Sequence, residues 1–128
     1  MKDLQSFLKP KRKPNLKLVV SPAFVDENGK PIEWEMKQLS AQEGLDVDGE
    51  GYKEIMCNYV AESLVFPDLH DTELLKGLSE REGHNILKAK DALIALVNDS
   101  ELAKLIEAYN KFNELTNDFE KLVDEAKN

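Results

Sequence analysis

Few side chains in this 128-residue sequence carry reactive chemistry. There is one cysteine, Cys57, and there are two histidines, His70 and His84. A thiol acts as a nucleophile only where its surroundings lower its pKa. Cys57 falls off the apolar stripe of its own segment, and the spacing predicts a buried or half-buried inert thiol. His70 stands in PDLHD, where Asp68, His70 and Asp71 are of metal-ligating type. That stretch lies beside a helix start, where such residues act as caps. The acid pairs Glu33/Glu35 and Asp46/Asp48 sit on faces that read as solvated. The acidic, Gly-rich DVDGEG run at 46–51 lacks the further oxygen ligands and terminal bidentate Glu of a calcium loop. The chain shows neither a Gly-rich phosphate loop nor a GxSxG, CxxC or HExxH motif. The residues therefore predict a protein that is not an enzyme, with no catalytic residues, no cofactor and no metal.

Charge narrows the partners. Acids outnumber bases 25 to 17, for a net charge of −8 and a pI near 4.8. That balance argues against nucleic acid or an anionic membrane as the main partner, because both call for a net basic face. The charge is uneven. Residues 1–25 hold six bases and one acid, whereas residues 40–128 hold 20 acids and nine bases. The basic cluster KPKRKP at 9–14 is bracketed by Pro10 and Pro14, which disfavour a continuing helix. Three readings of it stand open. It is a nucleic-acid or localisation patch, a solvated linker after a short amphipathic start (Leu4, Phe7, Leu8), or an arm that docks on acidic helices of its own chain or a neighbour.

The length predicts one domain, 1–128, with an N-terminal segment and basic linker over 1–15, a β-hairpin over 16–39 and a helical body over 40–128. The longest apolar runs are a few residues, far short of a membrane span. The start has no apolar signal-peptide region, and a lone cysteine suits a reducing compartment. The expected location is the cytoplasm.

The elements that position these residues follow from periodicity. LKLVVSPAFV at 16–25 is rich in β-branched and aromatic types. IEWEMKQL at 32–39 alternates, with Ile32, Trp34 and Met36 on one face. Asn28-Gly29 between them is a strong hairpin signal, and Pro22 limits its strand to an edge or ends it early. Ser40 with Glu43 forms a capping box. Tyr52, Ile55, Met56, Tyr59, Val60, Ser63 and Leu64 recur at helical spacing, up to Pro67. Asp71 or Thr72 caps a short helix carrying Leu74, Leu75 and Leu78. Ser79 with Glu82 repeats the capping-box pattern and opens a segment whose core face is Ile86, Leu87, Leu93, Ile94 and Val97. Asn98, Asp99 and Ser100 provide the turn and cap for the last helical region. The fold class is mainly α with an N-terminal β-hairpin (α+β), a small helical bundle packed on the hairpin.

Over 101–128 a heptad-like seam runs through Leu102, Leu105, Tyr109, Phe112, Thr116, Phe119, Val123 and Ala126. Either one helix spans this length or it breaks near Asn117. The seam either packs on the domain's own core or docks against a partner; on the second reading Leu102, Tyr109, Phe112 and Phe119 are the partner-binding residues. The hairpin's edges and this helix are the two places where a homo-oligomer would form.

Three blocks carry a family resemblance: VVSPAFVDENGKPIEWEMKQLSAQE, VAESLVFPDLHDTELLKG and the C-terminal FEKLVDEAKN. They resemble the tail assembly chaperones of long-tailed bacteriophages, of the type found in PBSX-like defective prophages and phages of Gram-positive bacteria. Residues 79–113 depart from that pattern. The resemblance implies a transient assembly factor in the bacterial host cytoplasm that is absent from the mature virion. Its implied partners are the tape measure protein, a long helical rod, and the major tail protein that polymerises around it. It also implies that a frameshifted form with a C-terminal extension exists in many such phages, this chain being the short form. A small regulatory protein whose basic arm contacts DNA is the alternative.

Overall fold

A computed structural model of the chain describes residues 3–114. Its order is β1 (Leu16–Val19), β2 (Glu33–Met36), α1 (Ala41–Leu45), α2 (Tyr52–Ser63), β3 (Leu64–Phe66), α3 (Thr72–Glu82), α4 (Ala89–Leu96) and α5 (Asp99–Phe112). The three strands form one antiparallel sheet in the order β1-β2-β3. The fold class is α+β, with the expected hairpin at its N-terminal end.

The hairpin forms where alternation placed it. Leu16 pairs with Met36 and Leu18 with Trp34, so these apolar residues share the inner face. Opposite charges meet on the outer face, where Lys17 faces Glu35. The loop holds three residues between Asp26 and Lys30, whose backbone N–H and C=O pair at 2.8 Å. Only Gly29 takes a positive φ, +77°, which a Cβ would oppose. Asp26 locks the turn by accepting from the backbone N–H of Asn28 and of Lys30. β1 stops at Val19, ahead of Pro22, and forms an edge as expected.

β2 is central because of a strand that periodicity assigned differently. Leu64 reads as the end of the helical stripe, yet Leu64–Phe66 is extended and pairs with β2. Pro67 disfavours helix at the residue before it, and the Leu-Val-Phe run suits a pleated surface. The Lys37 N–H reaches the Ser63 carbonyl at 2.8 Å, which extends the pairing.

The helices keep their local signals with three corrections. Ser40/Glu43 and Asn98/Glu101 both close capping boxes, and Asp71 caps α3. Ser79 is not a cap: α3 runs through it to Glu82 and ends on Gly83 in the left-handed region. The Ser79 hydroxyl instead donates to the Leu75 carbonyl and accepts from the Ile86 N–H, stapling the following loop to the helix. The buried arc of α2 is also displaced. Cys57 and Ala61 join Met56 and Val60 inside, while Tyr52 is 70% exposed. α2 packs against both α4 and α5, which requires a wider apolar arc than one stripe. Finally, Leu87 and Ile94 face out, and the core contribution of their segment comes from Ile86, Ala89, Ala92 and Leu93. Helix α4 starts only at Ala89, so the loop before it turns Leu87 away.

One core joins both layers: Val20, Trp34 and Met36 from the hairpin meet Val60, Leu64, Leu69, Leu78, Leu93, Leu102 and Leu105. Trp34 lies edge-on to Phe24, with ring centroids 5.3 Å apart. Each such side chain, fully buried, contributes about 1.5–3 kcal/mol.

Candidate functional site

The last described helix carries most of the candidate residues; its start and middle are tied to the hairpin and its end to the linker before the hairpin. At its start Glu101 is buried, accepts from the Asn98 N–H, and takes a hydrogen bond from Ser21. The Ser21 bond and then the Asn98 N–H hold its carboxyl below the usual range. In the middle, Lys104 Nζ donates to the Val19 carbonyl at 2.9 Å. At the end, Lys13 Nζ donates to the carbonyls of Phe112 and Glu114 at 3.3 and 3.4 Å. The basic linker therefore touches its own helical body, placing a cation where the helix dipole is negative.

These ties set the helix's orientation and so its two faces. Leu102 and Leu105 are buried in the domain core, and Tyr109 and Phe112 are half-buried against it. Tyr109 stacks at a tilt on Tyr59, with centroids 5.8 Å apart, and burial pushes its hydroxyl pKa up. Three of the four residues read from the seam are thus brought onto one face, and that face packs on their own domain. Phe119 and the break near Asn117 lie outside the described residues. Helix α5 itself ends at Phe112, where the Asn113 side chain donates to the Tyr109 carbonyl.

Beside that seam lies a groove. Tyr52 and Lys53 of α2 face Asp99, Leu102, Ala103, Ile106, Glu107 and Asn110 across an open, mainly apolar cleft of about 680 Å³. Lys111 and Glu114 lie at the groove's C-terminal end. A depression of about 410 Å³ shares Lys53 and Leu102 and continues toward Glu50, Glu54, Lys90 and Ile94. The floor is aliphatic and aromatic, and the rim carries more carboxylates than amines. Lys53 and Asp99 pair at 3.4 Å, and Lys90 pairs with Glu54 at 3.2 Å, which raises the lysine's pKa. An apolar floor with a charged rim suits docking of an apolar side chain set. The stripe reading missed Ala103 and Asn110, whose mixed polarity hides a surface that exists only when α2 stands beside α5.

The candidate chemical residues fall elsewhere. Cys57 is buried, and burial raises its thiol pKa, in keeping with an unreactive thiol. His70 Nε2 lies 3.0 Å from the Glu62 carboxylate. Asp71 accepts from the Leu74 N–H and caps α3, while Asp68 accepts from the His70 backbone N–H and closes the turn before it. Among the described residues no three His, Cys, Asp or Glu side chains converge in a way that would hold a metal ion. Among the same residues no helix is long and apolar enough to cross a membrane.

No family model and no curated protein matches the chain. Among solved structures, the crystal structure of the protein YqbN is similar, with a TM-score of 0.64 at 16% sequence identity. The superposition covers 88% of this chain and 97% of that one. The likeness is therefore one of fold, and it extends over nearly all of the YqbN chain.

Proposed function

We propose that this chain is a non-enzymatic tail assembly chaperone that covers apolar helical stripes of a tape measure protein and helps recruit the tail tube protein. The sequence resemblance names the class. The observation that carries the reading is the apolar groove between α2 and α5 on an acidic helical body. A long rod with exposed apolar stripes aggregates, and a partner that covers the stripe while adding net negative charge keeps it dispersed. On this reading the groove lined by Tyr52, Ala103 and Ile106 meets the client. Tyr109 and Phe112 hold the groove's wall in place from the core side, and Leu102 belongs to both core and groove. The protein acts in the host cytoplasm and leaves before the virion is complete.

Co-expression with a tape measure protein from the same genome tests this. Tyr52→Asp combined with Ala103→Glu changes two exposed positions, so the helical circular dichroism should be kept while recovery of the complex falls about tenfold. Undiminished co-purification of the double variant would overturn the role of the groove. Salt-sensitive retention of the intact protein on duplex DNA, lost on deleting residues 9–14, would favour a DNA-contacting regulator instead.

A further inference from the structure

We propose that the groove beside α5 is covered, in the free protein, by the N-terminal arm of a second copy of this chain. The arm's single helical turn, Leu4–Leu8, starts at Asp3, whose carboxylate accepts from the Gln5 N–H and the Ser6 hydroxyl. That turn buries none of its residues: Leu4, Phe7 and Leu8 are 72%, 79% and 72% exposed. Three large apolar side chains on one unsupported turn are a docking element without a dock. None of the three is among the residues lining its own chain's groove.

Charge selects a second copy as the acceptor. Residues 3–14 carry four bases and one acid, whereas residues 15–114 carry 20 acids and ten bases. The groove supplies the apolar counterpart in Tyr52, Leu102, Ala103 and Ile106, and around it Asp99, Glu107 and Glu114 outnumber Lys53 and Lys111. Complementary potentials of this kind fix the register of docking and speed encounter.

Reach agrees. Lys13 is tied to the carbonyls of Phe112 and Glu114, and Glu114 lines one end of the groove, so the arm departs beside a groove mouth. Phe7 lies six positions before Lys13, a span of up to about 20 Å when extended. The 14 residues of α5 measure about 21 Å, so an arm leaving one body reaches along a neighbour's groove. Reciprocal exchange closes a two-fold dimer, and one-way exchange builds a ring or filament. A client entering the groove must then displace the arm.

The purified full chain, with no client present, is the material for the test, so its result is independent of the chaperone reading. Light scattering behind size exclusion should show concentration-dependent association that weakens as salt rises from 0.05 to 0.5 M. Phe7→Asp and Ala103→Arg alter exposed positions in the arm and the groove respectively. Each alone should shift the midpoint of association at least tenfold toward monomer, with the helical circular dichroism unchanged. Mixing the two variants should restore a one-to-one complex, because one keeps an intact groove and the other an intact arm. A full chain that stays monomeric at all concentrations overturns the proposal, as does an assembly indifferent to both substitutions.

Discussion

The Lys13 ammonium lies 3.3 Å from the carbonyl oxygen of Phe112, a contact that spans 99 residues of sequence. A cation at this place satisfies a carbonyl that has no partner within the helix and opposes the negative end of the helix dipole. The basic cluster between Pro10 and Pro14 thereby acquires one concrete role, that of fastening the linker to the end of α5.

Replacing Lys13 with Gln should remove that charge and lower stability by about 0.3–1 kcal/mol, the size of a cation at a helix terminus. The loss should concentrate in faster amide exchange at Tyr109 to Asn113. It should shrink above about 1 M salt, where the Debye length falls to about 3 Å. Lys13→Arg should restore the wild-type behaviour. Equal exchange rates in Lys13→Gln and wild type would show that the contact carries no stability.

Ser79 offers a sharper loss. Its hydroxyl serves the Leu75 carbonyl at 2.7 Å and the Ile86 N–H at 2.8 Å, and Ile86 is buried. Ser79→Ala leaves that N–H without its partner and should cost about 1–3 kcal/mol. The urea midpoint should fall accordingly with an unchanged slope, since the surface exposed on unfolding is the same. A midpoint within error of wild type would mean water replaces the hydroxyl at no cost.

The Glu43 carboxyl is held down to about 2 by the Ser40 backbone N–H first and the Lys37 ammonium second. Its ordinary value is 4.5, so the folded state binds this proton less readily than the unfolded chain. The contribution to stability is therefore fully present above pH 4.5 and is lost as the pH falls toward about 2. Glu43→Gln should be less stable than wild type at pH 7, and the gap should close across that window. Side-chain carbon chemical shifts of Glu43 give its titration directly; a midpoint near 4.5 would refute the capping account.

Much of the fold was legible because its causes are local. Ser40 with Glu43 and Asp71 with Leu74 each join residues three apart, and Asn28-Gly29 are adjacent in the turn, so residue type and spacing reveal them. The alternation of Trp34 and Met36 shows their shared face without knowledge of what covers it. β3 was not legible, because Leu64 also continues the stripe of α2 and the run before Pro67 is only three residues long, so only pairing with β2 tells the two apart. Ser79 fits a cap by type, but its partner is the Ile86 N–H in a loop seven residues later. The candidate site divides the same way. The periodicity of Leu102, Tyr109 and Phe112 was visible, while its direction was not: the stripe faces the domain's own core. The groove needs Tyr52 from α2 opposite Ala103 and Ile106, and no single segment displays that pairing.

The ties from Ser21, Val19 and Lys13 to α5 join the first strand and the residues flanking it to the last described helix, with separations as large as 85 and 99 residues. A ribosome making about 5–20 residues per second exposes β1 roughly 5–20 s before Phe112 follows. During that interval the hairpin can close, since its own pairing is short-range, but the inner faces of Leu16, Leu18 and Trp34 lack the helix that helps enclose them. The nascent chain therefore passes through a stage in which its most apolar sheet surface is open, and enclosure of that surface waits for the last described helix.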